Sequence, residues 1–234
     1  MNFNEISIIV PTYNESSNIS TLVQRIHTVC LKSNIKEEII VVDDNSPDGT
    51  AKIAQELSKK YPVKVLLRTK DRGLSQAVVA GINLTTNDIV GVIDADLSHP
   101  PEIIPYLIEK LKDNEIVVAS RYSDTGGVEE WTLIRKMISK GATLLAYPLT
   151  SVNDPMSGYF FFKKEIINSK KLKPKGYKIL LEIIVRSGAT KIAEYSYIFR
   201  NRELGSSKLT YKQFIEYFMQ LGELYIFKLI GFFN

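Results

Sequence analysis

Two carboxylates one residue apart, Asp94 and Asp96, follow a short apolar segment, Ile89–Ile93. If that segment is a strand, both acidic side chains point to one side and Ala95 points to the other. Paired carboxylates at a sheet edge bind hard divalent cations, and Mg²⁺ or Mn²⁺ held there can also coordinate substrate phosphates. The pattern therefore predicts a metal site at Asp94 and Asp96, although two solvated loop acids would have the same sequence.

A second acidic pair, Asp43 and Asp44, follows the apolar segment Ile39–Val42. A carboxylate at the end of a strand can accept hydrogen bonds from a ribose or from a base. We therefore predict that Asp44 contacts a nucleotide. The alternative is that one of the two residues caps a helix that begins near Asp48.

The segments that position these residues alternate between two patterns from residue 6 to about residue 120. Short apolar runs rich in β-branched residues are typical of strands buried on both faces of a parallel sheet. These runs are Ile6–Val10, Ile39–Val42, Val63–Leu67, Ile89–Ile93 and Ile116–Ala119. The spacers with helical periodicity are Ser17–Cys30, Asp48–Lys60, Leu74–Leu84 and Glu102–Leu111. The predicted fold class is α/β, with a doubly wound, mostly parallel sheet.

Ligands of such sheets bind beyond the carboxyl ends of the strands, and four of the five predicted strands end in polar or ionisable residues. No glycine-rich loop follows the first strand, which disfavours a dinucleotide oxidoreductase and a P-loop NTPase. The single cysteine excludes an internal disulfide framework and a cysteine-rich zinc site, and two histidines cannot form a three-histidine metal site. A nucleotide diphosphate bound here therefore needs side chains as its source of positive charge.

The charge of the 234-residue chain is divided unevenly, although the net charge is only +4. Residues 1–162 contain 16 basic and 20 acidic side chains, whereas residues 163–234 contain 14 basic and 6 acidic ones. This asymmetry predicts that the two parts face different partners. We see neither a secretory signal nor a complete transmembrane segment, and we expect an intracellular chain.

Six motifs in register make the chain similar to a known family. They are PTYNE at 11–15, VVDDNSPDGT at 41–50, DADLSHPPE at 94–102, SRY at 120–122, DPMSGYFFFKKE at 154–165 and GSSK at 205–208. Over about residues 5–212 the chain resembles family-2 glycosyltransferases, and more narrowly the dolichol-phosphate mannose synthases of the archaeal kind. The resemblance implies a GT-A, Rossmann-like domain over residues 1–210.

The resemblance also implies roles for individual residues. The positions that match the nucleoside-binding segment are Pro11, Tyr13, Glu15, Val42 and Asp44. The donor phosphates and the metal, Mg²⁺ or Mn²⁺, correspond to Asp94, Ala95 and Asp96. The basic residues expected near the donor diphosphate are Arg121, Lys178, Arg202 and Lys208. The acceptor-phosphate positions are Arg121, Arg135 and Ser139, and the expected catalytic residues are Asp94, Asp96, Arg121 and Arg135.

One residue departs from the pattern of the family. Ser98 stands where family members usually have Gln, whose side chain can complete the shell of metal ligands. A neutral serine hydroxyl is a poor ligand, so we expect a water in its place and an altered metal preference. The neighbouring His99 is expected to support the site rather than to bind the metal.

The implied reaction transfers mannose from GDP-mannose to a dolichyl or polyprenyl phosphate, with inversion at the anomeric carbon. A metal and basic side chains would stabilise the charge of the leaving diphosphate, and a lipid phosphate that is already anionic needs no base. The alternatives are a UDP-glucose or other UDP-sugar donor for the same kind of lipid, and transfer to a saccharide hydroxyl. A nucleotidyltransferase and a nucleic-acid-binding module are disfavoured, so nucleic acid is not an expected partner.

Residues 211–234 form a separate amphipathic segment in this interpretation. Phe214–Phe233 is largely aromatic and aliphatic, but the polar residues within it make it too polar to span a membrane. It is expected to be a helix in the membrane interface or the stub of a membrane region, with packing on the domain as the alternative. The expected localisation is peripheral, at the cytoplasmic face of a membrane, with a membrane protein or a second copy of the chain as possible partners.

Overall fold

The computed structural model describes residues 1–123, 126–128, 133–167, 172–174, 176, 178–199 and 211–232. Within its helices, the side chains at 133–136, 138, 211–213 and 231–232 lie outside the description. The first half of the chain contains all the strands and helices that the sequence predicts. They are β1 (Glu5–Thr12), α1 (Ile19–Lys32), β2 (Lys36–Asp43), α2 (Thr50–Leu57), β3 (Val63–Leu67), α3 (Leu74–Ile82), β4 (Ile89–Val92), α4 (Ile104–Leu111) and β5 (Ile116–Ser120).

The second half adds strands and helices that the sequence reading did not place individually. They are β6 (Gly127–Val128), α5 (Leu133–Ala146), β7 (Phe160–Lys163), α6 (Ile179–Ser187), β8 (Ile192–Ser196), β9 (Ile198–Phe199) and α7 (Tyr211–Phe232). Short 3₁₀ turns at Pro101–Ile103 and Lys164–Ile166 complete the described elements. The predicted amphipathic C-terminal helix is therefore present.

Seven of these strands form one sheet, in the order β3-β2-β1-β4-β7-β5-β8. All neighbours pair in parallel except β7, which is antiparallel to both β4 and β5. This confirms the doubly wound, mostly parallel α/β fold. Because β7 runs in the opposite direction, the segment that leads into it meets the carboxyl ends of β4 and β5 at one edge.

The core lies on both faces of this sheet because successive residues of its strands alternate between the two faces. On β1, Ile8 and Val10 pack on one face with α1 and α4, whereas Ile9 packs on the other face with α3 and α6. All three side chains are completely buried. This double burial explains why the central strands read as continuous apolar runs rather than as alternating patterns.

The C-terminal helix α7 packs against the domain through one of its faces. Tyr217, Leu221 and Leu224 are buried in a cluster that includes Ala146 of α5 and Leu181 of α6. The hydroxyls of Tyr217 and Tyr225 donate hydrogen bonds of 2.6 Å to backbone carbonyls of α5, those of Ala142 and Leu145. The expected alternative of packing on the domain is therefore observed for this face.

The opposite face of α7 is apolar and exposed. Its exposed side chains are Ile215, Phe218, Met219, Ile226, Phe227, Leu229 and Ile230. On the neighbouring helix α5, Met137, Leu144 and Leu145 are exposed as well. We call these residues of α5 and α7 the apolar face. Despite it, no helix in the described part of the chain has the length and hydropathy needed to cross a membrane.

The central strand β4 contains a glycine because an aromatic ring occupies the space above it. A Cβ atom on Gly91 would overlap the ring of Phe161, its partner on β7. Phe161 is completely buried in the core, so the ring has no free space to move into.

We predict that Gly91→Ala lowers the free energy of unfolding by about 1–3 kcal/mol, the usual cost of overpacking a core. Urea denaturation followed by circular dichroism measures this change. The matched control is Gly141→Ala on α5, where a Cβ atom meets no atom within 4 Å outside the neighbouring backbone of its own helix. That substitution should be neutral or slightly stabilising, since alanine has the higher helix propensity. Equal destabilisation by both variants would contradict the packing argument.

Candidate active site

The polar ends of the central strands meet at one edge of the sheet. Thr12, Asp43 and Ser120 are the last residues of the parallel strands β1, β2 and β5, and Asp94 follows the end of β4. The pairing registers bring Thr12 beside Asp43, and Asp44 N–H donates to the carbonyl of Thr12 at 3.1 Å. This edge therefore brings together the segments that the sequence assigned to one site.

Asp43 and Asp44 have different roles at the end of β2. The Asp43 carboxylate is completely buried and accepts hydrogen bonds from Thr12 Oγ1 at 2.9 Å and from the backbone and hydroxyl of Ser46 at 2.8 and 2.6 Å. It therefore fixes the loop after β2. Neither Asp43 nor Asp44 caps α2, because its N-cap position is Gly49; Asp48 Oδ1 accepts the N–H of Thr50, the first residue of that helix, at 3.0 Å.

The Asp44 carboxylate is held by the segment before α3. Its Oδ1 accepts a hydrogen bond from Arg68 at 2.7 Å, and its Oδ2 accepts one from the Gly73 N–H at 2.6 Å. Burial raises the pKa of Asp44, although the Gly73 amide and Arg68 oppose that shift. Arg68 was not recognised from the sequence, because nothing in a lone arginine indicates a partner 24 residues away.

The other predicted nucleoside residues lie along the same edge. Pro11 and Val42 are buried partners on β1 and β2, and the Val42 side chain packs in the core. Tyr13 follows β1 and is partly exposed, with 42% of its surface accessible. Glu15 is half-buried and its Oε2 accepts a hydrogen bond from Asn18 Nδ2 at 2.9 Å. A nucleoside could therefore contact the Val42 position only through its backbone.

Asp94, Ala95 and Asp96 are placed by a turn rather than by the strand itself. Strand β4 ends at Val92, so the predicted alternation of side chains does not extend to these residues. Ala95 is buried in the core, Asp96 is buried, and the Asp94 side chain is one-third exposed. Leu97, which follows, has a φ of 61° and turns the chain back toward Ser98.

Ser98, the departure from the family pattern, holds Asp96 in position. Its backbone N–H donates to Asp96 Oδ1 at 3.1 Å, and its hydroxyl donates a second hydrogen bond to the same oxygen. Ser98 is thus a partner of Asp96 in this structure. The described residues contain no group of three or more His, Cys, Asp or Glu placed to hold a metal, so any ion here would need ligands beyond Asp94 and Asp96.

His99 is a buried neighbour of the Asp94 carboxylate. It is buried among the rings of Tyr159, Tyr197 and Phe199, with ring centroids 5.5–5.6 Å away. Its Nδ1 lies 2.7 Å from the Tyr197 hydroxyl, and its Nε2 lies 3.5 Å from Asp94 Oδ2. This packing agrees with the expected supporting role.

Arg121 forms a buried, bidentate ion pair with Asp154. Its Nε and one terminal nitrogen each donate to a different Asp154 oxygen at 2.7 Å, and the Arg121 backbone N–H donates to Oδ2 at 3.0 Å. Burial alone would lower the pKa of the Arg121 guanidinium, but the charge and hydrogen bonds of Asp154 outweigh it and hold that pKa above its usual range. Arg121 is therefore a permanent cation with a fixed orientation.

Asp154 belongs to the DPMSGYFF segment, and the structure gives this motif a physical meaning. Ser157 Oγ donates to the carbonyl of Ala119 at 2.8 Å, which ties the segment to the end of β5. A Cβ atom on Gly158 would overlap the carboxylate of Asp94, so glycine makes room for that side chain. The sequence reading assigned no role to Asp154 or Gly158, although the motif contained both.

Lys178 comes to the same site from the start of α6. Its Nζ donates to the carbonyl of Met156 at 3.3 Å, within the segment that begins at Asp154. Burial, with the nearby positive charge of Arg121, lowers the pKa of Lys178 to about 8, while Asp154 and Asp94 oppose the shift. Lys178 therefore lies within electrostatic range of both Arg121 and Asp94.

A cavity of about 710 Å³ opens between the end of β5 and α5. Its walls include Arg121, Tyr122 and Asn153 on one side, and Lys140 and Leu144 of α5 with Tyr147 just after that helix on the other. Ser139 precedes Lys140 and accepts a 2.7 Å hydrogen bond from the Tyr122 hydroxyl. The structure thus brings two of the predicted acceptor residues, Arg121 and Ser139, to the neighbourhood of one cavity.

Three predicted basic residues are not placed. Arg202 and Lys208 lie outside the described residues, and Arg135 lies on α5 with its side chain outside the description. Their roles stay predictions.

Comparison with known proteins identifies the family. Residues 7–169 match the model of glycosyl transferase family 2. The chain is 45% identical to a dolichol-phosphate mannosyltransferase of Pyrococcus furiosus over 94% of its length, and 38% identical to one of Saccharomyces cerevisiae over 96%. It spans 63% of the first relative and 88% of the second.

Solved structures show the same fold at lower identity. The crystal structure of glucosyl-3-phosphoglycerate synthase from Mycobacterium tuberculosis with Mn²⁺, UDP-glucose and phosphoglyceric acid matches with a TM-score of 0.65 and 22% identity. The match covers 86% of this chain and 72% of that one. The GT-A-like architecture and the family match agree with the resemblance found in the sequence. The chain belongs to glycosyl transferase family 2.

Proposed function

We propose that the protein transfers mannose from GDP-mannose to a dolichyl or polyprenyl phosphate and so forms a lipid-phosphate sugar. The observation that supports this most strongly is the 38–45% identity, over nearly the whole chain, to two enzymes named for dolichol-phosphate mannosyl transfer. This identity and coverage support the proposal that the chain acts on the same class of substrates as these two relatives. The geometry of the candidate site also accommodates both substrates of this reaction, the nucleotide-sugar donor and the lipid-phosphate acceptor.

The donor is proposed to bind across the ends of β1, β2 and β4. Tyr13 offers a partly exposed ring to a base, and Asp44 and Glu15 supply carboxylates for base and ribose hydroxyls. Arg121 and the protonated form of Lys178 would supply cationic N–H donors where the diphosphate leaves. Arg202 and Lys208 are proposed to add to that charge.

A divalent cation, Mg²⁺ or Mn²⁺, is proposed to bind at Asp94 and Asp96. Both side chains offer hard oxygen donors, and Ser98 orients one Asp96 oxygen. The mycobacterial synthase of the same fold was crystallised with Mn²⁺. The cation would neutralise charge on the leaving diphosphate, and these two carboxylates would hold it with waters and donor oxygens as its other ligands.

The acceptor phosphate is proposed to bind in the cavity beside Arg121, with Arg135 and Ser139 as further contacts. Among the described residues that line the cavity there is no Asp or Glu. An alcohol acceptor would need a carboxylate base, whereas a phosphate is ionised at neutral pH and needs only to be positioned. The described part of the lining thus offers no carboxylate base, and a phosphate nucleophile would require none.

The apolar face is proposed to lie on a membrane, with the protein peripheral at the cytoplasmic face. Leu144 lines the acceptor cavity and also belongs to this face, so the phosphate site and the apolar face share helix α5. A polyprenyl chain bound by its phosphate would then pass along apolar side chains into the lipid. A membrane protein or a second copy of the chain could cover the same face.

Transfer to an organic-soluble product tests the proposed function. We expect labelled mannose from GDP-mannose to enter the organic phase with a polyprenyl phosphate and Mg²⁺ or Mn²⁺. Chelation of the metal by EDTA, or the change Asp96→Asn, should reduce the rate at least about 100-fold if the cation stabilises the leaving group. Transfer from UDP-glucose but not from GDP-mannose would contradict the proposed donor and leave the proposed acceptor in place. Transfer from neither donor would refute the proposal.

The pH dependence tests the role of Lys178. Since its pKa is lowered to about 8, Lys178 is charged below that pH and neutral above it. We expect kcat/KM for the donor to fall roughly 15-fold as the pH rises from about 8 to about 9.5, because only the charged form binds the diphosphate. The matched variant Lys178→Arg, which stays charged, should flatten this profile. An identical decline in both proteins would exclude Lys178 as its source.

Flotation with anionic liposomes tests the apolar face. Deleting α7 would also expose the cluster around Leu181, so substitution is the cleaner experiment. We expect Phe218→Ser, Ile226→Ser and Leu229→Ser together to abolish flotation, since each removes an exposed apolar side chain. Leu31→Ser on α1, which is also exposed, is the matched control. Unchanged flotation of the triple variant would exclude this face as the anchor.

A further inference from the structure

One side chain, Tyr122, touches both described residues that are assigned to the acceptor phosphate. Its hydroxyl donates a 2.7 Å hydrogen bond to Ser139 Oγ. Its ring faces the Arg121 guanidinium, with the Cζ atom 5.4 Å from the ring centroid. Tyr122 itself lines the 710 Å³ cavity. It therefore connects the end of β5 to helix α5 at the place where the phosphate is proposed to bind.

The hydrogen bond also determines what Ser139 can do. A serine hydroxyl has one proton to donate and two lone pairs that accept. When Tyr122 donates to one lone pair, the proton of Ser139 is directed elsewhere and is available to an anionic oxygen. Without the Tyr122 hydroxyl, the Ser139 hydroxyl could rotate, and part of its donor strength toward a phosphate would be lost.

The backbone around Tyr122 is held firmly enough to act as a support. Ser120 is completely buried, and its Oγ accepts hydrogen bonds from the N–H groups of Tyr122 and Ser123 at 3.3 and 3.2 Å. Arg121, which lies between Ser120 and Tyr122, is held by its ion pair with Asp154. The tyrosine ring therefore extends toward α5 from a well-defined anchor.

We propose that Tyr122 is a positioning residue for the acceptor phosphate. It would orient the Ser139 hydroxyl as a hydrogen-bond donor and hold it at a fixed distance from the Arg121 guanidinium. The proposal rests on the proposed function and adds to it a residue that acts through others. It predicts that the hydroxyl of Tyr122 affects acceptor binding and leaves donor binding unchanged.

The test is a double-mutant cycle of Tyr122→Phe and Ser139→Ala. Farnesyl phosphate serves as the acceptor, with KM measured for it and for GDP-mannose, and its Kd without donor measured by calorimetry. Ser139→Ala should raise the acceptor KM and Kd about tenfold or more, since it removes a hydrogen bond to an anionic oxygen, and Tyr122→Phe should raise them about three- to tenfold, since it only weakens that bond. The double variant should match Ser139→Ala, because Tyr122 acts only through the Ser139 hydroxyl. The KM for GDP-mannose should not change.

Tyr217→Phe is the control, since the Tyr217 hydroxyl also donates a hydrogen bond to α5, to the Ala142 carbonyl. It should leave the acceptor KM unchanged, and equal losses in both Tyr→Phe variants would mean that the effect is structural. Additive effects in the double variant, an unchanged Kd for Tyr122→Phe, or a matching rise in the donor KM would overturn the proposal. Absence of mannose transfer by the unmodified protein would refute the proposed function, whereas the Kd values for farnesyl phosphate would still decide the role of Tyr122.

Discussion

The buried ion pair between Arg121 and Asp154 is the interaction on which the site depends. A completely buried carboxylate is costly unless it is paired, and here three hydrogen bonds from Arg121 satisfy it. Loss of either partner would leave a buried charge alone, at a cost of about 3–5 kcal/mol. The pair joins the end of β5 to the segment before β7. It therefore fixes that segment at the edge where Gly158 faces Asp94 and Lys178 contacts Met156.

The first half of the fold was predictable because its strands are buried on both faces. A short, continuous apolar run such as Ile39–Val42 is typical of a strand buried on both faces. The observed strand, Lys36–Asp43, contains this run and is longer at both ends. The second half was harder to read because β7 inserts antiparallel between β4 and β5, and its Phe-rich sequence does not reveal its direction. Pairing of β7 with two strands that precede it by tens of residues is set by the whole sheet and not by a local pattern.

The site was predictable where a motif lies at a strand end, and unpredictable where a partner is distant in sequence. The acidic residues Asp44, Asp94 and Asp96 lie at the expected edge. The partners that orient them, Arg68 and Gly73 for Asp44, come from the segment before α3 and have no local signature. The alternation argument for Asp94 and Asp96 reached the right edge for the wrong reason, because a turn places them.

The arrangement around Arg121 also separates the two halves of the proposed reaction. With Asp154 holding two of its nitrogens, Arg121 cannot swing between donor and acceptor, so in the proposed reaction it would contact both phosphates from one position. That requires the two substrates to approach it from different sides. Lys178 and Asp94 lie toward the donor edge, and Tyr122 and α5 border the cavity for the acceptor. Because Asp154 balances its charge, Arg121 would act in the proposed reaction chiefly by orienting phosphate oxygens, which suits an acceptor that is already ionised and needs only to be positioned.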